Sequence, residues 1–299
     1  MSELKKSVNF KPKKSIHLNC LCGSKEATLY FDPYKETGFF NNYKLIICNK
    51  CKLVRTDPSP LSDDGDATDL YSDPNYYKES VTETNFWLEH AKQTLEVIKD
   101  LKKGKLLDIG CGVGYMVEAA NSLGFKASGI DLNPYAVEAG RKIFGSNLKH
   151  TTIDKVDEKY DIIISNHVIE HLLSPKEFLD NISARLNNGG YLLLGVPNVE
   201  GGIPKTLRML NKIPNIPGSN WLWVGYQPKE HLWHFTPKSM ESFLKREGWE
   251  KLVLRVNRNN SYAYAKVNKA RQKFIQKVWK LFERINMADE FTILCQKKN

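Results

Sequence analysis

Lys105-Leu106-Leu107-Asp108-Ile109-Gly110-Cys111-Gly112-Val113-Gly114-Tyr115 is the stretch that decides the fold. An apolar strand runs straight into three glycines at alternate positions, and a helix-like segment, Tyr115 to Leu123, follows at once. A backbone that turns so tightly from strand to helix needs residues without Cβ. Bare peptide groups at the start of a helix also leave room for a ligand to lie against them. Asp131 stands 21 residues after Gly110, at the end of the next expected strand, where a carboxylate can bind ribose hydroxyls. The stretch therefore predicts a nucleoside-containing cofactor.

The glycine spacing argues against a dinucleotide. The dinucleotide fingerprint is G-x-G-x-x-G, and its third glycine would fall on Tyr115. The spacing is instead G-x-G-x-G, with Asp108 two residues ahead of it. That carboxylate would repel a pyrophosphate and attract a cationic amino-acid group. S-adenosylmethionine (SAM) carries an ammonium and a sulfonium and no phosphate, so it is the expected cofactor. No G-x-x-x-x-G-K-[ST] loop is present, which argues against a nucleoside triphosphate.

Beyond the glycine turn, strand-like and helix-like segments alternate. Lys126 to Ile130 reads as the second strand, and Asn133-Pro134 opens a helix, since Pro suits the first helical turn. A weaker strand is expected near Lys149 to Ile153. Asp161-Ile162-Ile163-Ile164-Ser165 and Tyr191 to Val196 are continuous apolar runs of the kind buried in parallel sheets. Pro175 to Leu186 reads as a helix, and Asn187-Asn188-Gly189-Gly190 as a turn. The alternation predicts an α/β protein with a doubly wound, mostly parallel sheet. Pro237 to Glu247 and residues 262–286 are expected helices, with strands at Leu252 to Val256 and Glu290 to Gln296. Residues 82–100 show helical periodicity, with Phe86, His90, Leu95 and Ile98 on one face.

Four of the six cysteines lie ahead of this core, as Cys20-Leu21-Cys22-Gly23 and Cys48-Asn49-Lys50-Cys51. Two close pairs separated by a strand-rich stretch suit a structural, tetrahedral Zn2+ bound by Cys20, Cys22, Cys48 and Cys51. So small a module has little core of its own, and metal would supply much of its folding energy. Buried free cysteines, or a ribbon that has lost its metal, are the alternatives. The expected organisation is a flexible basic tail (1–15), a zinc-ribbon-like module and linker (16–75) and an α/β domain (76–299). Residues 198–235 break the strand–helix rhythm with Gly, Pro, Trp and His, and read as a substrate cap at the strand ends.

The chain has 299 residues, 41% of them apolar, and a net charge of +10. That length holds one large α/β domain and a small module. No run of about 18 apolar residues exists, so no transmembrane span is expected. No apolar signal segment follows Met1, and a cytoplasmic location is expected, where paired cysteines serve as ligands more often than as disulfides. The positive excess lies in Lys5 to Lys14 and Lys266 to Arg284, and reads as a solvated lysine-rich surface.

The chain resembles the class I SAM-dependent methyltransferases in Asp108 through Gly114, Asp131, Asn166-His167-Val168-Ile169-Glu170-His171 and Asn188-Gly189-Gly190. More narrowly it is similar to a bacterial group with an N-terminal zinc-binding module, through its two cysteine pairs, Leu70-Tyr71 to Tyr76-Tyr77, Trp221 or Trp223, His231 and Phe235-Thr236. That group includes sugar, quinone and natural-product methyltransferases. The resemblance implies a seven-stranded sheet with one antiparallel strand, Glu290 to Gln296. It implies that Asp108, Gly110 and Gly112, with Cys111 and Gly114 in the same turn, line the methionine moiety. Asp131 would hold the ribose diol with Leu132 against the adenine, Ile153 or Asp154 would approach the adenine from the next strand end, and Asn166 and His167 would flank the sulfonium. The Cys-x-Cys pair departs from the commoner Cys-x-x-Cys, and the segment after the third strand lacks a clear adenine signature.

Methyl transfer is an in-line displacement in which the protein mainly aligns the nucleophile, and a hydroxyl nucleophile also needs a base. His171, His231 and His234 are the candidates, since His titrates near neutral pH. Tyr76, Tyr77, Trp221, Trp223 and Tyr226 are candidate walls of the acceptor pocket. The expected partner is a small-molecule acceptor, such as a nucleotide sugar or another hydroxylated metabolite, methylated on oxygen more readily than on nitrogen or carbon. The string His167 to His171 also matches H-x-x-E-H, but here it follows a core strand. A nucleic-acid methyltransferase is disfavoured, because Asn166-His167-Val168-Ile169 is not the Asn/Asp-Pro-Pro-aromatic motif of base methylases, and no nucleic-acid partner is expected. A non-catalytic SAM-binding protein is a further alternative. Residues 262–286 carry an apolar side amid lysines, which fits packing on the sheet better than a membrane surface.

Overall fold

The computed structural model describes residues 19–31, 44–57, 81–202, 231–257 and 287–298, with isolated positions between residues 205 and 285. Tyr76, Tyr77, Trp221 and Trp223, the basic tail and nearly all of the expected helix 262–286 lie outside the described residues.

The element order is β1 (Ala27–Phe31), β2 (Leu45–Cys48), β3 (Val54–Thr56), α1 (Thr84–Leu95), β4 (Lys105–Ile109), α2 (Tyr115–Ser122), β5 (Lys126–Asp131), α3 (Pro134–Phe144), β6 (Leu148–His150), β7 (Tyr160–Asn166), α4 (Pro175–Arg185), β8 (Leu186–Pro197), β9 (Trp233–His234), α5 (Pro237–Arg246), β10 (Trp249–Asn257) and β11 (Glu290–Lys297). Seven strands form one sheet in the order β10-β11-β8-β7-β4-β5-β6. The pairings from β6 through β8 are parallel, and β11 runs antiparallel to both its neighbours.

Successive strand residues face opposite sides of the sheet. Leu106, Ile162, Ile164, Leu193 and Leu294 join Leu95, Met116, Val117, Ala120 and Val137 in one apolar cluster. Their neighbours Leu107, Ile163, Leu192, Leu194 and Ile293 join Leu179, Ile182, Phe243 and Leu244 in the other. Both faces are thus covered by helices, which is why the central strands read as unbroken apolar runs.

Local signals set the helix ends. Asn133 accepts from the backbone N–H of Ala136 with Pro134 in the first turn, and Gly145 closes α3 in the left-handed region. Thr236 and Ser239 form a capping box on α5.

Several boundaries differ from the sequence expectation. The third core strand is β6, Leu148–His150, and Ile153–Lys155 is a 3-10 turn instead of its continuation. Asn187-Asn188-Gly189-Gly190 is not a separate turn. It lies inside β8, where the register against β7 jumps from Tyr160↔Leu186 to Ile162↔Tyr191 and Gly189 takes a positive φ of 73°. A bulge absorbs the extra residues there while pairing resumes on both sides. The stretch expected as linker after Leu53 begins with β3.

A second sheet, in the order β1-β2-β3-β9, joins the cysteine module to the α/β core. Its outer strand, Trp233–His234, lies at the end of the expected cap, 198–235, and pairs Val54↔His234 and Arg55↔Trp233. Cys20, Cys48 and Leu53 pack in the same cluster as Trp233, Leu232 and the sheet residues Leu192 and Leu194.

Candidate functional site

The parallel strands all end on one edge of the sheet, where Gly110, Asp131 and Asn166 follow from β4, β5 and β7. Ligands of open α/β sheets bind outside these carboxyl ends. Gly110, Gly112 and Gly114 have φ of 75°, 52° and 92°. A Cβ on Gly110 would lie 2.4 Å from Cγ2 of Val168, so the turn and the segment after β7 touch only because this residue is glycine.

The amides of the turn are already in use. Gly110 and Cys111 donate to the carbonyl of Ile130, Gly114 donates to that of Cys111, and Gly112 donates to Oδ2 of Asp131 at 2.7 Å. Those amides are unavailable as a phosphate cradle, in keeping with a cationic ligand. Asp131 also accepts from Asn133 N–H at 2.8 Å, so it braces the turn and the start of α3 together. Burial, and then the charge of Asp131, pushes the Asp108 carboxyl well above the usual carboxylate range. A bound ammonium beside it would favour the ionised form again. Leu132 is 46% exposed and Ile153 is buried. The thiol of Cys111 faces the interior instead. It lies under Gly129, where a Cβ would meet Sγ at 2.7 Å, so Cys111 has only backbone to offer a cofactor.

Past β7 the chain enters a connected set of polar side chains. His167 adopts φ 55°, which is uncommon for a residue with a side chain and marks a constrained position. Its Nε2 lies 3.2 Å from Glu290 Oε2 and its Nδ1 3.4 Å from Glu170 Oε1. His90 of α1 lies 3.7 Å from the same oxygen of Glu290. Burial opposes a charge on His167, but Glu290 and Glu170 overcome it and raise its pKa to about 10. Burial likewise opposes ionisation of Glu290, and His167 and His90 bring it down to about 2.

Removing one partner of such a pair strands the other charge. Glu290→Gln is therefore expected to lower stability by about 3 kcal/mol in urea unfolding at neutral pH. The pH dependence has a definite sign. Glu290 contributes stability above its ordinary value of 4.5 that is lost as pH falls toward 2. His167 contributes fully below 6.5 and loses its contribution as pH rises through 10. An unchanged acid limb in the variant would refute the pairing.

Glu170 is 1% exposed, and beyond the ion-pair contact of its Oε1 with His167 its carboxylate oxygens have no hydrogen-bond partner among the described residues. Burial disfavours its charge, but His167, His171 and His231 hold it below its ordinary value. His171 Nε2 lies 3.9 Å from Glu170 Oε1, and the rings of His171 and His231 meet at 4.8 Å. Glu170, His171 and His231 each offer a ligand atom, all within 4.8 Å of one another. Burial keeps His231 neutral, with its pKa near 3. Burial, then His231, takes His234 well below its usual value.

All three candidate bases therefore lie near one another: His171 and His231 in contact, and His234 with its ring 6.5 Å from that of His231. The backbone N–H of Leu232 donates to the carbonyl of Glu170 at 2.8 Å and ties the β9 segment to the residues after β7. Tyr226 is buried, with its ring 5.0 Å from that of His234.

Sequence reasoning missed Glu290, His90 and Thr56. Glu290 opens the antiparallel strand, and only that reversed direction delivers its first residue to the carboxyl edge of the parallel strands. A charged residue at the head of a mostly buried strand was the available signal.

The four cysteines of the module are reduced and converge. Cys20 Sγ lies 3.4 Å from Cys51 Sγ, and Cys22 Sγ 3.6 Å from Cys48 Sγ. All four sulfurs are within 4.8 Å of one another. Zn–S bonds of about 2.3 Å in a tetrahedron put sulfurs about 3.8 Å apart, so the donor set fits Zn2+ with little adjustment. Gly23 and Lys52 take positive φ just after each pair, which turns the chain so that both sulfurs of a pair point inward. Burial opposes a thiolate at Cys48, but the backbone N–H groups of Cys51 and Lys50 lower its pKa to about 6.

The family model described as a methyltransferase domain matches residues 86–254. The ribosomal protein L11 methyltransferase of Clostridium botulinum is 35% identical over 96 residues, 29% of this chain and 30% of that protein. The ubiquinone biosynthesis O-methyltransferase of Cereibacter sphaeroides is 26% identical over 154 residues, 48% of this chain and 59% of that protein. The chain thus spans less than two thirds of either relative. A Thermotoga maritima structure, described as a SAM-dependent methyltransferase and possible histamine N-methyltransferase, superposes with a TM-score of 0.51 at 17% identity, over 77% of this chain and 98% of that one. A Listeria monocytogenes structure described as a SAM-dependent methyltransferase gives 0.50 at 15% identity, over 73% of this chain and all of that one. These structures share the fold.

Proposed function

Because the chain belongs to the methyltransferase-domain family and is a class I SAM-dependent methyltransferase, we propose that it methylates a hydroxyl group of a small molecule, such as a nucleotide sugar or another hydroxylated metabolite. The observation that carries this reading is the Glu170–His171–His231 cluster, of which Glu170 and His171 follow closely after β7 and the glycine turn touches the same segment at Val168.

SAM brings an activated methyl group, so the protein's task is alignment and proton removal. Asp108 would face the ammonium, Asp131 the ribose diol, and Asn166 and His167 the sulfonium. His171 is the proposed base. It adjoins the carboxylate of Glu170, which would stabilise the imidazolium as the hydroxyl proton arrives. His231 would orient the acceptor beside it. The acidic balance of Glu170 and Glu290 against His167 also suits a sulfonium, whose positive charge a net negative wall stabilises.

The cysteine module would hold one structural Zn2+, and a reducing cytoplasm would keep its thiols available. The test is release of S-adenosylhomocysteine by zinc-loaded protein offered nucleotide sugars, quinone precursors and phenols, with RNA, DNA and ribosomal protein as separate arms. The expected result is turnover above the acceptor-free rate with a hydroxylated small molecule. Turnover only with a macromolecule would overturn the acceptor class. Tight SAM binding with no turnover anywhere would favour a non-catalytic SAM-binding protein.

A further inference from the structure

Thr56 of β3 is fully buried, and its hydroxyl meets two groups of the β9 segment. Oγ1 lies 2.7 Å from the carbonyl oxygen of His231 and 3.0 Å from Nε2 of His234. A carbonyl oxygen can only accept, so the single hydroxyl hydrogen goes to His231. Oγ1 then faces His234 as an acceptor, and Nε2 of His234 must carry the hydrogen. In the neutral ring Nδ1 is left with a bare lone pair. That Nδ1 is buried and has no hydrogen-bond partner among the described residues.

A buried orphan acceptor in a native fold calls for an explanation. It has company on this side of the molecule. Among the described residues, Asn166 Oδ1, Glu170 Oε2 and Glu290 Oε1 are also buried without a hydrogen-bond partner, as are the donors Ser165 Oγ and Arg55 Nε and Nη1. The acceptors among them would be satisfied by a ligand that brings donors.

We propose that Thr56, a residue of the cysteine module, is a positioning residue of the acceptor site: it locks His234 in the Nε2–H tautomer, so that Nδ1 receives a hydrogen bond from a neutral O–H or N–H group of the acceptor. The module thereby contributes to acceptor selection. A ligand lacking a donor leaves Nδ1 buried and unpaired, which discriminates strongly. The donor's being the methylated group rests on the methyltransferase reading, whereas the tautomer does not.

Long-range 1H–15N NMR of the full, zinc-loaded chain reads both nitrogens of His234 directly. The expected spectrum has Nε2 protonated and Nδ1 bare. Thr56→Val removes the hydroxyl at nearly constant volume and is expected to move His234 to the Nδ1–H form or a mixture, while Thr56→Ser restores the original signal. Zinc content and SAM affinity serve as controls on folding. A wild-type His234 protonated at Nδ1 or at both nitrogens overturns the proposal, even if the Val variant fails to fold. So does an unchanged tautomer in a folded Val variant.

The ligand half uses phenol as a minimal O–H donor and anisole as its donor-free counterpart, each added to the protein with S-adenosylhomocysteine. Phenol is expected to shift the Nδ1 resonance and anisole to leave it. Equal shifts, or none with phenol, overturn the acceptor contact. Failure of the methyltransferase reading would appear separately, as absent turnover with the tautomer intact.

Discussion

Replacing Asp131 with Ala is expected to abolish SAM binding measurable by calorimetry, a loss of at least about 100-fold. The estimate follows from two ribose hydroxyls donating to a carboxylate, each worth about 1.5 kcal/mol or more. The structure makes the effect larger than the ribose contacts alone. Asp131 accepts from the backbone of both Gly112 and Asn133, so its removal frees the glycine turn and the first turn of α3 together. Three glycines with positive φ have no side chains of their own to hold the turn. Asp131→Asn keeps one acceptor oxygen and is expected to retain part of the affinity. Unchanged binding in Asp131→Ala would refute the assignment of the cofactor to this edge.

The second large effect is expected at the cysteine module. Wild-type protein is expected to carry one equivalent of zinc by elemental analysis, and Cys48→Ser to lose it. Structural zinc contributes about 10–16 kcal/mol of apparent binding free energy to modules of this size, far more than the module's small core can replace. Its consequence should reach the α/β domain, because β3 pairs with β9 and Thr56 holds the His231–His234 segment. SAM affinity should stay within a few-fold of wild type, since Asp108, Asp131 and the glycine turn lie on other elements. Turnover with an accepted substrate should fall about 100-fold or more, because the acceptor-side histidines lose their support. A variant that keeps its zinc, or keeps full turnover without it, would sink the coupling.

Much of the fold was legible in the chain because its signals are local. The strand–glycine–helix transition at Gly110 to Gly114, Pro134 after Asn133, and the apolar runs of β7 and β8 each express a preference decided within a few residues. The misread segments are those where pairing between distant strands overrode a local cue. Asn187 to Gly190 has the composition of a turn, yet pairing of β8 with β7 and β11 on either side leaves it as a bulge. Lys149 to Ile153 has the composition of a strand, but β6 is an edge strand with one partner, and the chain leaves it after His150.

The candidate site divides the same way. Asp108, the glycines and Asp131 were readable because the turn itself imposes their spacing. Glu290 and Thr56 were not, because nothing near them in sequence hints at His167 or His234. Their roles depend on an antiparallel last strand and on a sheet shared between the module and the core.

By itself, then, the sequence determined the α/β class, the glycine turn at the strand ends and the four-sulfur set, all of them consequences of short-range sterics and ligand chemistry. Only the tertiary structure decided how the glycine turn's amides are spent, that the histidines gather around Glu170, and that the cysteine module lends Thr56 to the His231–His234 segment. Those contacts reach from 19 positions, Gly112 to Asp131, to 178, Thr56 to His234, and chain packing alone brings such partners within hydrogen-bond reach.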